Sequence, residues 1–203
     1  MTLYALKPRF QALLRPLVVS LARAGVTANQ VTAAAAVGSV AIGGFVAAST
    51  PEHWPFLLLP LWFLARMALN AIDGMLAREF GQKSLLGAYL NEIADVVSDA
   101  ALYAPFAWLG PFGPFWTGLV ILLAAMTEFA GALGPSNGAS RRYDGPMGKS
   151  DRALVFGALG LWVGLGLPLP AWAVWIMAVL AALLVWTIVN RVRAGLREAG
   201  ARS

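Results

Sequence analysis

A chain of 203 residues that is 59% hydrophobic and only 12% charged cannot present an ordinary aqueous surface, because soluble domains carry roughly 25% charged residues. The same composition excludes disorder, and the absence of cysteine together with a single histidine, His53, excludes disulfide frameworks, thiol nucleophiles, cysteine-held metals and histidine triads. The chain reads as an integral membrane protein whose chemistry rests on Asp, Glu, Asn, Arg and Lys, and its net charge of +5 fits contact with anionic lipid without any role for nucleic acid.

In chain order, the first element is amphipathic. Leu6, Phe10, Leu13, Leu14, Leu17, Val18 and Leu21 recur at helical spacing while Arg9, Arg15 and Arg23 fall off that stripe, which predicts a helix over 3–24 lying in the membrane interface. The arginines interrupt any pure apolar stretch, so a cleavable signal peptide is not expected. Pro8 suits a first helical turn and Pro16 is expected to kink the helix. The break at Gly25-Val26-Thr27-Ala28-Asn29 supplies an N-cap for the first span.

Six apolar runs then approach the roughly 20 residues needed to cross a hydrocarbon core, at about 29–49, 54–77, 86–109, 112–133, 151–167 and 171–190. Three of the breaks between them, at Thr50–His53, Gly110–Pro114 and Gly164–Pro170, are short Gly/Pro turns without Lys or Arg. Every basic residue except Arg66 lies in the alternate set of segments, namely the N-terminus, the stretch around Arg78 and Lys83, the segment 141–152 and the tail 191–203. By the positive-inside rule that set faces the cytoplasm, with both termini. The expected architecture is an all-α integral membrane protein: one domain over 1–203, with the amphipathic helix 3–24, a six-helix bundle over 29–190 and a basic cytoplasmic tail over 191–203.

The second and third spans are unusually polar. Arg66, Asn70, Asp73 and Ala77 share one helical face, and Asn91, Asp95 and Asp99 share another. Intramembrane charges cost about 2.5–3.5 kcal/mol each on insertion scales, so they mark function or a paired structural role. Gly74 and Gly87 leave backbone accessible beside them, as a ligand pocket requires.

The string Asp73-Gly74-Met75-Leu76-Ala77-Arg78, eight residues, Gly87, three residues, Asn91, three residues, Asp95 resembles the signature of the CDP-alcohol phosphotransferase family, D-x-x-D-G-x-x-A-R followed by G-x-x-x-D-x-x-x-D. Gly148-Lys149-Ser150-Asp151-Arg152 is similar to that family's start of the fifth span. The resemblance covers nearly the whole chain and implies six spans, a homodimer in the bacterial inner membrane, and a cytoplasmic active site. It also implies divalent-metal-dependent transfer of a phospho-substituent from a CDP-linked donor, CDP-diacylglycerol above all, to a polar alcohol, with release of CMP.

By this resemblance Asp95 is the general base and Asp73 joins it in catalysis. The metal set is Asp73, Asp95, Asn70 and Asn91. Gly74, Ala77, Arg78 and Gly87 receive the donor, with room for the cytidine at Gly74 and Ala77 and a phosphate partner in Arg78. Arg141, Arg142, Lys149 and Arg152 dock a polar acceptor, a phosphorylated one included; the plainer reading of these four is topogenic charge. The sequence departs from the signature at its first and third aspartates, which are Asn70 and Asn91 here. Neutral amides contribute no charge and cannot bridge two ions, so Mg2+ or Mn2+ is expected as one or two ions bound together with substrate. That departure also keeps open a catalytically silent CDP-lipid-binding relative or partner subunit, whereas the motif spacing argues against a transporter. Arg66, Asp99 and Glu128 are expected to neutralise one another, the alternative being that Asp99 replaces a lost carboxylate. Glu92, about 100° around the helix from Asn91, is expected to face another helix or the lipid.

Overall fold

The structure, a computed structural model, describes residues 3–201, with side chains from Phe10 onward; the side chains of Leu6 in the expected amphipathic stripe, of Arg9 off it and of Pro8 lie outside the described residues. Among the described residues there are seven long helices and no strand: α1 (Leu3–Arg23), α2 (Ala28–Ala48), α3 (Leu58–Glu79), α4 (Leu85–Tyr103), α5 (Gly113–Ala132), α6 (Lys149–Gly164) and α7 (Ile176–Gly200). Short 3-10 turns lead into α3 and α7 at Trp54–Leu57 and Ala171–Trp175.

Helix α1 is continuous through Pro16, and since it already starts at Leu3, Pro8 stands beyond its first turn. It ends because Gly25 takes φ +77°, so that the N–H groups of Val26 and Gly25 cap the carbonyls of Leu21 and Ala22. Two residues later Thr27 starts α2 with a capping box, its hydroxyl accepting from Gln30 N–H while the Gln30 side chain accepts from Thr27 N–H. The α1 stripe divides in two. Leu14, Val18 and Leu21 pack against Ile72, Met75 and Leu76 of α3 and Ala28 and Val31 of α2, whereas Phe10, Leu13 and Leu17 are exposed.

Among the described residues four segments are long and apolar enough to cross a membrane: Ala28–Ala48, Trp54–Glu79, Gly113–Ala132 and Ala171–Gly200. The other two long helices after α1 fall short for different reasons. Helix α4 carries Glu92, Asp95 and Asp99, and α6 is only 16 residues long with Lys149, Asp151 and Arg152 in its first turn. The tail expected from residue 191 is instead a continuation of α7, which runs unbroken to Gly200 because residues 191–200 contain no proline and only one interior glycine, Gly195.

In lipid the helices gain nothing by hiding apolar area from hydrocarbon, so close packing between small residues must hold them together. Helix α2 packs against α3 and α4, α3 against α6, and α5 against α7. A Cβ at Gly43 would run into the Ala101 carbonyl of α4, and one at Gly164 would stand 2.7 Å from the Leu57 nitrogen. Away from the motif, an aromatic core closes the bundle: Tyr103 stacks on Phe156 at 3.8 Å, and Phe106 meets both Phe56 and Phe156 edge-on at 5.3 Å. That core holds the motif-bearing ends of α3, α4 and α6 in register.

Two neighbouring glycines test this packing. Gly43→Ala should destabilise the bundle by about 1–3 kcal/mol, the usual cost of overpacking, read as a lower melting temperature in detergent. Gly44→Ala, whose Cβ would meet nothing within 4 Å, should leave the melting temperature unchanged or raise it, since alanine favours the helix.

Candidate active site

A cleft of about 420 Å³ opens between the start of α2, the end of α3, the α3–α4 loop and the start of α4. Local chemistry shapes its rim. Gly81 turns the chain with φ +68°, after which the Gln82 side chain accepts from Ala28 N–H at 2.6 Å and donates to the Val26 carbonyl at 3.4 Å. The loop is thereby tied to the start of α2. Ser84 then caps α4, its hydroxyl accepting from Gly87 N–H at 2.9 Å.

Six of the expected donor and metal residues, Asp73, Gly74, Ala77, Arg78, Gly87 and Asn91, line this cleft. Asp73 is 6% exposed and its Oδ2 accepts from the Thr32 hydroxyl at 2.8 Å. Among the described residues no cationic side chain lies within 4 Å of the Asp73 carboxylate. Arg78 and Lys83, both on the cleft wall, likewise lack a carboxylate within 4 Å among the described residues. A Cβ at Gly74 would stand 2.9 Å from the Arg78 guanidinium and one at Gly87 2.7 Å from Asn29 Oδ1, in both cases the far end of a side chain that can shift. Asn70 is half-buried one turn from Asp73 and off the cleft wall.

A second cluster holds the remaining expected residues. Asp95 Oδ1 pairs with Lys149 Nζ and lies 3.4 Å from Arg66 NH2, which also donates to the Asp95 carbonyl at 3.1 Å. Arg66 NH1 donates to Asp99 Oδ1 at 2.5 Å, and Arg152 NH2 donates to Asp99 Oδ2 at 2.8 Å. Arg152 also reaches Glu128 at 2.9 Å and Thr127 Oγ1 at 3.0 Å. Glu128 receives Arg141 at 3.4 Å and Arg191 at 3.6 Å, while Arg141 pairs in addition with Glu92. In the adjoining loop Arg142 grips Asp144 at 2.8 and 2.9 Å and Glu198 at 2.5 Å. The hydrogen bonds from Arg142 hold the Asp144 carboxyl below the usual carboxylate range.

Several expectations change. Arg66 and Asp99 do neutralise one another, but Glu128 serves Arg152, Arg141 and Arg191 rather than Arg66. Both Asp99 oxygens are taken by arginines, so Asp99 is not a spare metal ligand. Glu92 faces neither lipid nor a bare helix: it lines the cleft and meets Arg141. Arg152, expected at the acceptor, is 1% exposed, with donors on Asp99, Thr127, Glu128 and the Met147 carbonyl. It therefore positions other groups from below. Sequence reasoning misses Arg191, Thr32 and Gln82. Arg191 hides among topogenic charges, although its spacing of four from Thr187, whose hydroxyl accepts from Met147 N–H, marks an inward helical face.

The donor set on the cleft suits a hard cation. Asp73 supplies one carboxylate and Asn91 one amide oxygen, and Mg2+-like ions are commonly held by one or two carboxylates plus substrate phosphates. No group of three or more His, Cys, Asp or Glu stands together among the described residues, so a complete cage built from acidic side chains is not present among them.

Comparison with known proteins agrees with this geometry. The chain is 45% identical over 196 residues to the inner membrane protein YnbA of Escherichia coli, covering 95% of this chain and 96% of that one. It is 31% identical over 204 residues to the phosphatidylinositol phosphate synthase of Mycolicibacterium smegmatis, covering 92% and 85%. Its fold matches the phosphatidylinositol phosphate synthase of Mycobacterium tuberculosis, solved with manganese and citrate, at a TM-score of 0.70 and 24% identity over 93% of this chain and 91% of that one. The same enzyme solved with CDP-DAG bound matches at 0.70 and 23% identity, over 93% and 96%. The CDP-alcohol phosphatidyltransferase profile matches residues 25–186, which takes in both motif helices and the cleft, and the chain belongs to that family of divalent-cation-dependent transferases.

Proposed function

We propose that the protein transfers a phosphatidyl group from CDP-diacylglycerol to the hydroxyl of a polar alcohol and releases CMP. The observation that carries this reading is the cleft itself, where one buried carboxylate without a cation, Asp73, faces two cations without a carboxylate, Arg78 and Lys83. A diphosphate bound together with a divalent ion would satisfy all three. The smegmatis relative synthesises a phosphatidyl product by its name, and the tuberculosis enzyme of like fold was solved with CDP-DAG bound, which supports the choice of donor.

Asp73 would hold the cation with Asn91 as a neutral oxygen ligand; Asn70, one turn from Asp73 and off the cleft wall, would have to turn in to join them. When bound, Mg2+ or Mn2+ there would supply charge neutralisation of the diphosphate, which would make CMP a better leaving group. Arg78 and Lys83 neutralise the diphosphate from the other side, and Gly74, Ala77 and Gly87 keep the wall low enough for the nucleotide. Asp95, held by Lys149 and Arg66, takes the proton as the hydroxyl oxygen bonds to the phosphatidyl phosphorus and the bond to CMP breaks. Arg141, Arg142 and Lys149 frame the acceptor, and Arg152 supports them.

The same reading makes α2 to α7 six spans in a bacterial inner membrane, with α1 in the cytoplasmic interface, its exposed Phe10, Leu13 and Leu17 toward lipid, and two copies forming a homodimer. The amides Asn70 and Asn91 favour one competing reading, a silent relative that binds CDP-lipid without turnover. Mass spectrometry of lipids made by purified protein from CDP-diacylglycerol, Mg2+ and a panel of alcohols separates the two: a new phospholipid with stoichiometric CMP supports transfer, and donor binding without CMP supports the silent reading.

Asp95→Asn should cut CMP release by about 10² or more, the usual share of a general base, with the melting temperature largely kept. A variant with near wild-type turnover removes Asp95 from that role. The double variant Asn70→Asp, Asn91→Asp should lower the metal concentration for half-maximal activity by about tenfold, the scale at which ligand shells tune affinity. Without metal it should melt at a lower temperature, because added carboxylates repel in a low-dielectric cleft. Unchanged metal dependence and unchanged metal-free melting would mean that Asn70 and Asn91 do not face a shared ion.

A further inference from the structure

The cations on the two sides of the motif are in opposite states. On the donor side Arg78 and Lys83 stand without carboxylates among the described residues. On the acceptor side every candidate cation already has one: Lys149 holds Asp95, Arg141 holds Glu92 and Glu128, Arg142 holds Asp144 and Glu198, and Arg152 holds Asp99 and Glu128. With Arg66 and Arg191 included, six cations meet six carboxylates, Glu92, Asp95, Asp99, Glu128, Asp144 and Glu198. Counted over the described residues, the cluster is electroneutral before any substrate arrives.

We infer that the acceptor is an uncharged alcohol rather than a phosphorylated one, and that Glu128 sets this preference. The inference rests on the transfer reading above and names the acceptor class for it. A phosphomonoester brings a charge of about −1.5 to −2 at neutral pH. Entering a cluster whose cations are already matched and whose lower part, Asp99, Glu128, Arg152 and Arg191, is buried, it must expel a carboxylate or stay uncompensated, and either is costly. A hydroxyl asks only for directional hydrogen bonds. One such donor is in place, since the buried Arg141 Nε–H meets no acceptor among the described residues while both NH nitrogens of Arg141 are engaged by Glu92 and Glu128.

Glu128 is the pivot because, among the described carboxylates, it contacts three guanidinium groups, from α6, α7 and the loop, at 2.9, 3.6 and 3.4 Å. Its side chain is 7% exposed, and Arg141 links it to Glu92 on the cleft wall. It acts through these arginines as a positioning residue. Glu128→Gln keeps the shape, removes the charge and leaves the cluster with one surplus cation next to the cleft.

The test compares matched acceptors, glycerol with glycerol 3-phosphate and inositol with inositol phosphate, by CMP release from CDP-diacylglycerol in purified full-length protein. Wild type should favour the unphosphorylated member of each pair by at least about tenfold in kcat/KM, the size of one unfavourable electrostatic contact of about 1.4 kcal/mol. Glu128→Gln should move that ratio about tenfold or more toward the phosphorylated member, through a lower KM, and Glu128→Asp should restore the wild-type preference. General structural damage would lower kcat for both members and leave the ratio unmoved, which would overturn the role of Glu128. A wild-type preference for the phosphorylated member overturns the inference while leaving the transfer reading intact, and it does so even if Glu128→Gln fails to fold. Absence of CMP release with every acceptor fails the transfer reading itself, and the inference falls with it.

Discussion

Charge inside a bundle meant for lipid has to be paired, and the pairing organises this fold. Asp99 lies between Arg66 and Arg152, and Glu128 between Arg152 and Arg191, so α3, α4, α5, α6 and α7 are joined by one chain of ion pairs. Removing a single partner from such a chain leaves a bare buried charge, at about 3–5 kcal/mol. The network also fixes geometry. Arg66 reaches the Asp95 carbonyl and carboxylate as well as Asp99, which sets the rotation of α4 that brings Asn91 onto the cleft with Asp73.

Full pairing in that network gives meaning to a buried carboxylate outside it, Asp73. Asp73 is buried, its hydrogen bond from Thr32 is neutral, and among the described residues no cation stands within 4 Å of it. The same holds in mirror image for Arg78 and Lys83 on the cleft wall. On the proposed function, a diphosphate bound with a divalent ion would supply the missing cation and the missing anion together, so ion and donor are expected to bind as one unit. Two amides in place of carboxylates are then no defect, because the diphosphate brings negative charge that a four-carboxylate site would carry on the protein.

The periodic polar faces of spans two and three, the Gly/Pro turns and the alternation of basic segments are enough, in the sequence itself, to indicate a helical membrane protein with a site where α3 meets α4, and the spacing from Asp73 to Asp95 carries the family. Partners across helices are not legible there. Helical spacing says which face Glu128 or Arg152 occupies and nothing about whether the neighbouring helix brings a cation, so Arg152 reads as a docking residue and Glu128 as a partner of Arg66. The extent of α7 escapes because a run of basic residues without an apolar stripe looks like a tail, although residues 191–200 contain no proline. Thr32 is lost among the small residues of α2, where only the contact with Asp73 distinguishes it.

If Asp73 awaits a cation that arrives with the donor, metal and nucleotide must bind cooperatively. Calorimetric titration of Mn2+ into purified protein, with and without saturating CDP, reads this coupling without requiring turnover. Mn2+ should bind weakly alone and at least about tenfold tighter with CDP present, and Asp73→Asn should lose that enhancement. Equal Mn2+ affinity with and without CDP, or an enhancement that survives Asp73→Asn, would contradict a cation site at Asp73 completed by the donor.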